Sequence, residues 1–527
     1  MPQYKVNIKW AKEQFNDVEL NTDEPPLVFK AQLFALTGVQ PERQKILIKG
    51  KTIGDNDWSN VTNDLKSNIT LMMMGSVDKL PEAPVKPTQF IEDLSETQLA
   101  MALDLPVGLK NLGNTCYLNA VAQCLKAVPE LCDGLTKFKS SGSDMADSLT
   151  IALRDTYIFM DKFKQPEYPP LLLVQLLRTV FPQFSTMGEH GVPQQQDANE
   201  CLTELLRVLQ QKLPKIKTDK ADLSPTSAYS KHFGLIDQFF SGEFSLQMKC
   251  EENADEPVTT NSESFLQLSC FISQDVKYLQ TGLKLRLEER LTKNSPSLGR
   301  DASYLKTSRI SRLPSYLCIQ LVRFFYKEKE KVSAKVLKDV KFPVVLDLYD
   351  LCTPELQKRL VNQREAFRLQ DEEEAKISKA KKLAEKDESL KKADSNNKSE
   401  PEKVYAPFSF EEDPGSNNSG FFDLIGVLTH KGRSSNSGHY VGWTKNQKTN
   451  QWYMYDDDVV TKVTEEEILK LSGGGDWHTA YVLFYGPRRL ESKYLEQHRI
   501  QQSTSAMDSS EVKSESAPST TTTTTSN

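Results

Sequence analysis

Between Asp371 and Lys403 acidic and basic residues nearly balance, Ser, Asn and Pro fill much of the rest, and large apolar residues are almost absent. Such a stretch cannot bury enough surface to offset the entropy of ordering it, so a disordered insert is expected, its Ala-Lys-Glu-rich first half able at most to form a solvated helix. The same expectation holds for residues 488–527, a low-complexity tail that ends in a run of threonines. Compact structure must therefore be assembled from the sequence on either side of the insert. In a chain of 527 residues that remainder still exceeds one ordinary core, and two domains are expected.

The whole chain is 38% hydrophobic and 26% charged, a composition typical of globular protein. A net charge of -6 argues against a nucleic-acid partner, which would call for a basic excess. The opening Met1-Pro2-Gln3-Tyr4 lacks the charged-then-apolar form of a signal peptide, and the most apolar run, Leu171 to Phe181, is broken by Gln175 and Arg178, so no membrane span is expected. These features fit a cytosolic protein. Its eight cysteines do not form a disulfide framework, and no two lie three apart as a zinc half-site would require. Cys116, Cys124 and Cys132 are about two helical turns apart, too far to share a metal, and no cofactor is expected.

The first 76 residues alternate as strands, Tyr4 to Trp10 and again near Asp17 to Leu20, then change to a helical pattern with Leu27, Ala31, Leu33, Phe34 and Leu36 ahead of Gly38. Gln44 to Lys51 reads as a strand ending in a turn and Ile69 to Met73 as a last strand, an order β-β-α-β-β. That order, with its Gln-x-Ile-Leu-Ile-x-Gly-Lys strand and turn, resembles the ubiquitin-like β-grasp fold. The resemblance places Leu47 and Met72 where ubiquitin carries apolar members of its recognition patch and implies a docking face; the competing reading is that both are core. The segment continues through Met74-Gly75-Ser76 into more protein, as a built-in module and not a conjugation tag. Residues 77–104, with Pro81, Pro84 and Pro87 among charges, read as a linker.

The chemistry is concentrated in the long stretch that follows. Asn111-Leu112-Gly113-Asn114-Thr115-Cys116-Tyr117-Leu118-Asn119 puts a cysteine where an apolar helix begins. Unpaired N–H groups and the positive end of the helix dipole favour a thiolate there. Covalent cysteine catalysis also needs a base, a group that orients it and donors for an oxyanion. Of the six histidines, His439 stands out because Ser437-Gly438-His439-Tyr440 enters a strand from a Ser- and Gly-rich loop, while His498 falls in the tail and His430 and His478 read as structural. The next strand, Gln451 to Tyr455, leads into Asp456-Asp457-Asp458. A hairpin centred between Gln447 and Lys448 sets His439 against Asp456, and one centred on Lys448 sets it against Asp457; periodicity does not choose.

Gly108-Leu109-x-Asn111-Leu112-Gly113-Asn114-Thr115-Cys116-Tyr117-Leu118-Asn119, then Gln195-Gln196-Asp197-Ala198-x-Glu200, then Gly438-His439-Tyr440 and the Trp452 to Asp457 strand resemble the cysteine and histidine boxes of the ubiquitin-specific proteases. The resemblance spans roughly residues 105–487 and implies a papain-like fingers, palm and thumb domain, α+β like the module before it. It further implies Cys116 as nucleophile, His439 as base and then acid, Asp456 as its orienting group and Asn111 as an oxyanion donor. Substrate contact is implied for Gln196, Asp197, Tyr440, Ser434 and Ser435, with helix capping the competing reading for Asp197. Many relatives fix the fingers with zinc through paired CxxC, whereas Asn253 stands three residues after Cys250, so fingers without metal are expected. With the N-terminal module in front, the resemblance points to the proteasome-associated members of the family. Expected partners are ubiquitin, polyubiquitinated proteins and the 26S proteasome regulatory particle. The free protein is expected to be a monomer of the cytosol, with the nucleus as a second location, and to carry mobile cleft loops at Phe324 to Lys335 and Gly432 to Ser437. A catalytically silent ubiquitin-binding adaptor is the alternative that the intact set Cys116, His439, Asp456 and Asn111 disfavours, and a redox cysteine lacks a nearby resolving thiol.

Overall fold

The computed structural model describes residues 3–76, 103–140, 142, 144–162, 165–188, 191, 193–216, 233–327, 332–387, 403–434, 437–475 and 477–514. The chain divides into two compact units, Met1–Asp93 and Leu94–Asn527. Most of the expected linker, residues 77–102, lies outside the described residues.

In the first unit the strands lie in the order Glu13–Asn21, Gln3–Trp10, Thr70–Met74, Lys45–Ile48, Lys51–Thr52. Alternation does the sorting: Val6, Ile8, Ile46, Ile48, Leu71 and Met73 face inward and receive Phe29 and Leu33 of the helix Pro26–Thr37. The order differs from the expected one by an added strand. Lys49 and Gly50 both take positive φ, 46° and 86°, a turn that folds Lys51 back onto Ile48. Leu47 and Met72 are paired across neighbouring strands and so share the outer face, Leu47 half-buried and Met72 53% exposed. Neither belongs to the core.

The second unit is organised around an eight-stranded sheet. Its main path runs Gln267–Phe271, Leu317–Val322, Thr479–Pro487, Phe421–Ser434, Ser437–Lys445, Trp452–Asp456, Val459–Val463, with Val345–Asp347 also paired to Phe421–Ser434. Leu428, Tyr440, Val482 and Phe484 of this sheet join the core of a helical layer, in which the helix Cys116–Lys126 is buried from Cys116 through Leu125. A helix buried on every side, its polar Asn119 and Gln123 included, is central, and four others contribute to the same core: Pro129–Lys137, Met145–Lys162, Leu171–Val180 and Ala198–Lys212. Leu317, Ile319, Leu424, Val427 and Leu483 fill a second core with the side chains of Leu348, Leu356 and Leu360. A separate four-stranded sheet, Glu288–Ser295, Arg300–Arg312, Gly242–Cys250, Thr259–Phe265, carries Cys250 packed among Ala302 and Tyr304, while Glu256 accepts hydrogen bonds from Ser295, Ser297 and Tyr304.

The first half of the insert forms the solvated helix that its composition allowed, while the expectation of a disordered tail is corrected over Ser492–Ser514; residues 515–527 lie outside the described residues. The helix Pro354–Asp387 runs well into the charged insert, and residues 371–380 are all exposed on it. Ala, Lys and Glu favour the helix intrinsically, Arg368 pairs with Glu365 and Glu372 along its surface, and its root is buried through Ala366 and Phe367. Residues 388–402 lie outside the described residues. The tail also folds, as a helix Ser492–Ser514 whose start places Leu490 and Tyr494 on Phe367 and buries His498. Arg488 pairs with Asp371 at the same junction. Three or four anchors within polar sequence were enough, which composition averaged away. Leu490→Ala should lower the stability of the larger unit by about 2–5 kcal/mol, read from its denaturant midpoint; an unchanged midpoint would mean that the tail is not part of the fold.

Candidate active site

Asn111 builds the turn before the nucleophile. Its Oδ1 accepts the N–H groups of Gly113 at 3.0 Å and Thr115 at 3.2 Å, and Thr115 Oγ1 accepts that of Leu112 at 2.9 Å. Gly113 and Asn114 take φ of 95° and 53°, conformations that Gly and Asn tolerate best. Cys116 follows as the first residue of its helix, buried, with Thr115 the N-terminal cap position but no side-chain cap. The carbonyl of Thr115 serves Leu118 and Asn119, so the first two N–H groups of the helix remain at the sulfur's end.

His439 stands on the strand Ser437–Lys445, opposite Lys431. The next strand pairs Gly442 with Tyr455 and Lys445 with Trp452, a register one residue beyond the later of the two considered from sequence. The ladder stops at Tyr455, and continuing it would set Asp456 beside Val441. Asp456 therefore reaches His439 diagonally, two residues along the same face. Its Oδ1 lies 2.5 Å from His439 Nε2, against 4.0 Å for Asp457. The other imidazole nitrogen is left for Cys116, the second influence after Asp456 that raises the imidazole pKa.

The charges agree with this geometry. Asp456 first, and Cys116 second, raise the His439 pKa to about 10, and His439 in turn holds Asp456 below its ordinary value. Asp457 behaves differently: burial raises its pKa, and its carboxylate accepts Asn111 Nδ2 and Asn119 Nδ2, both at 2.8 Å. Its carbonyl accepts Leu109 N–H at 2.9 Å. Asp457 thus pins the nucleophile turn to the aspartate strand. Gly108 permits the close approach, since a Cβ there would lie 2.4 Å from Asp458 O. His439, Asp456 and Asp457 bring ligand-type atoms within 4.8 Å of one another, yet Asp456 is committed to the imidazole and Asp457 to two amides, so the donor set does not suit a resident metal.

Other expected residues are distributed unevenly. Asp197 caps the helix Ala198–Lys212 through Asn199 and Glu200 N–H and accepts the Tyr481 hydroxyl on both oxygens, so its carboxylate is spent on structure. Gln196 beside it is half-buried, with its amide donating to Gln194 O at 3.2 Å. Tyr440 is 0% exposed, its ring against His430 and Tyr481, and offers substrate no surface. Ser434 ends its strand opposite Ser437, and Ser435 lies outside the described residues. His430 and His478 are buried, and burial lowers their pKa values to about 3 and about 4. Asn119 and Tyr481 were not singled out from sequence; Asn119 closes the quoted cysteine motif, but nothing local reveals that its partner is Asp457.

The pair His439 and Asp456 also sets a pH dependence. A raised imidazole pKa stabilises the fold fully below the ordinary 6.5 and loses that contribution as pH rises through about 10; a lowered carboxylate pKa stabilises above 3.8 and loses it as pH falls through the folded value. Both contributions are complete between 3.8 and 6.5. Asp456→Asn removes the largest cause of the imidazole shift, so the alkaline limb of kcat/KM should move down from about 10 towards 6.5. An alkaline limb that stays in place would assign the orienting role elsewhere.

Residues 107–485 match the family model described as ubiquitin carboxyl-terminal hydrolase. The chain is 42% identical over 494 residues to ubiquitin carboxyl-terminal hydrolase 14 of Caenorhabditis elegans, covering 92% of this chain and 94% of that one. It is 40% identical over 493 residues to ubiquitin carboxyl-terminal hydrolase 6 of Arabidopsis thaliana, covering 92% and 98%. With ubiquitin carboxyl-terminal hydrolase 6 of Schizosaccharomyces pombe it shares 36% identity over 494 residues, covering 91% and 98%. A thiol at a helix start, joined to an imidazole and a carboxylate within a domain that this family model spans, leads to one conclusion: the chain belongs to the ubiquitin carboxyl-terminal hydrolase family and is a cysteine deubiquitinase.

Proposed function

We propose that Cys116, His439, Asp456 and Asn111 cleave the bond between the terminal glycine of ubiquitin and a lysine amine, on polyubiquitinated proteins held at the 26S proteasome. The observation that carries the chemistry is the Asp456 carboxylate bonded to the His439 imidazole, whose pKa Cys116 at a helix N-terminus raises further. The Cys116 sulfur, its proton taken by His439, attacks the glycine carbonyl carbon. The oxyanion that forms is met by the Cys116 N–H and by the second N–H of the Asn111 amide, whose first is held by Asp457. Collapse breaks the C–N bond as His439 returns its proton to the leaving amine, and water, deprotonated by the same imidazole, hydrolyses the thioester. Gln196 borders the path of the ubiquitin tail.

Labelling with ubiquitin bearing a C-terminal electrophile, with and without proteasome, tests this reading: the native protein should be modified once, and Cys116→Ala should not. Native protein that stays unmodified in both conditions would overturn it.

The location rests on the first unit, a ubiquitin-like module in this reading. Leu47 and Met72 together with exposed Met74 make an apolar surface on its outer sheet face, of the kind a ubiquitin receptor of the proteasome would take. The protein then works in the cytosol and nucleus, wherever proteasomes are, and is a monomer when free. Leu47→Asp should weaken co-sedimentation with proteasomes by roughly tenfold or more while leaving electrophile labelling of the free protein intact, since a charge in a desolvated contact costs more than about 1.4 kcal/mol. Undiminished co-sedimentation would remove this face from the docking surface.

A further inference from the structure

Arg323 is 0% exposed and heads the fully buried side chains by volume among the described residues. A guanidinium so placed has to satisfy its donors inside the protein. Its four hydrogen bonds all go to main-chain carbonyls: Nε to Ala480 at 2.7 Å, one terminal nitrogen to Val336 at 3.0 Å and Lys338 at 2.8 Å, the other to Ser472 at 2.8 Å. Those acceptors belong to three segments, one soon after Arg323 and two about 150 residues further on. Val336 and Lys338 follow the hairpin of Phe324–Lys327 and Val332–Lys335, Ser472 opens a glycine turn, and Ala480 lies in the strand Thr479–Pro487.

The segments are also built around the guanidinium. Val336 N–H returns to Arg323 O at 2.7 Å, Gly474 N–H to Leu337 O at 2.8 Å, and Val340 N–H to Ser472 O at 3.1 Å. Gly473 holds φ 125°, and a Cβ there would stand 2.6 Å from Lys338 O and 3.3 Å from the Arg323 nitrogen. No other residue fits that turn without moving one of them.

Two of the segments lead on to the cleft. Phe324 sets its ring edge-on to His430 at 5.2 Å and to Tyr481 at 5.0 Å. Lys335 Nζ donates to His430 O at 2.6 Å, one residue before Lys431, the strand partner of His439. Tyr481, directly after Ala480, holds the Asp197 carboxylate that caps the helix beside Gln196.

We infer that Arg323 is a positioning residue for ubiquitin binding: by joining the stem of the Phe324–Lys335 hairpin, the Gly473 turn and the Tyr481 strand through one guanidinium, it sets the shape of the wall along which the ubiquitin tail reaches Cys116. It touches neither the sulfur nor the imidazole, so it acts on substrate binding and not on the chemical step. The inference rests on the channel proposed above.

The test separates binding from chemistry. Arg323→Lys keeps the charge but cannot span all four carbonyls, and Gly473→Ala disturbs the same junction without altering Arg323. Both should raise KM for a ubiquitin C-terminal coumarin amide by roughly fivefold or more with kcat within about twofold, because the interaction lost is made equally in ground and transition states. Both should also leave the rate of Cys116 alkylation by iodoacetamide unchanged and speed amide hydrogen exchange at 332–340 and 472–475. If either variant retains its native KM, or loses kcat alone, the inference is overturned, whatever its melting temperature. If Arg323→Lys does not fold, Gly473→Ala decides by the same criteria. Native protein that does not hydrolyse the amide would instead count against the proposed channel and leave the exchange measurement to judge the junction.

Discussion

A single buried carboxylate, Asp457, joins parts of the chain 338 and 346 positions apart. Everything the site does depends on this bridge. Asn111 and Asn119 flank the nucleophile on its turn and helix, while Asp457 immediately follows the carboxylate that orients the imidazole. With Leu109 N–H on its main-chain carbonyl, it locks the nucleophile turn and the base to one frame. A buried carboxylate without partners would be costly, and supplying two amide donors makes the position specific: no other register of the two segments satisfies it.

Beside this fixed bridge lies a more exposed ion pair. His439 and Asp456 are only half-buried, and their mutual influence on protonation is correspondingly open to solvent. The division of labour between adjacent aspartates follows from environment alone. One meets an imidazole and stays ionised; the other meets two amides and is pushed upward by burial. The strand ends before His439 approach one another closely at Gly432 and Gly438: a Cβ at Gly432 would stand 2.9 Å from Gly438 Cα, and one at Gly438 2.7 Å from the His430 ring.

Where sequence reasoning departed from the structure, the missing quantity was always three-dimensional. The hairpin register was off because loop residues Asn446 to Gln451 fold into a turn whose centre periodicity does not mark, and diagonal neighbours can serve as well as direct ones. Asp197 caps its helix, the competing reading of its motif, while its bond to Tyr481 had no signal in the sequence. The tail looked unable to fold because it lacks apolar surface; packed through Leu490 and Tyr494 on Phe367, just before the charged insert, its first turns are ordered.

The sequence by itself determined the alternating strands and helix of the first unit, the thiol at a helix start and the identity of the histidine that serves it, because each depends on local periodicity, capping chemistry or a short motif. For the aspartate, periodicity left two choices and the motif resemblance named Asp456; tertiary structure decided the diagonal register by which it reaches that histidine, what holds Asn111 in place, and that Arg323 joins three segments inside the fold. The Asn111 and Arg323 outcomes depend on donors and acceptors as much as 346 and 157 residues apart satisfying one another once water is excluded, and the aspartate on a strand register that no local pattern encodes.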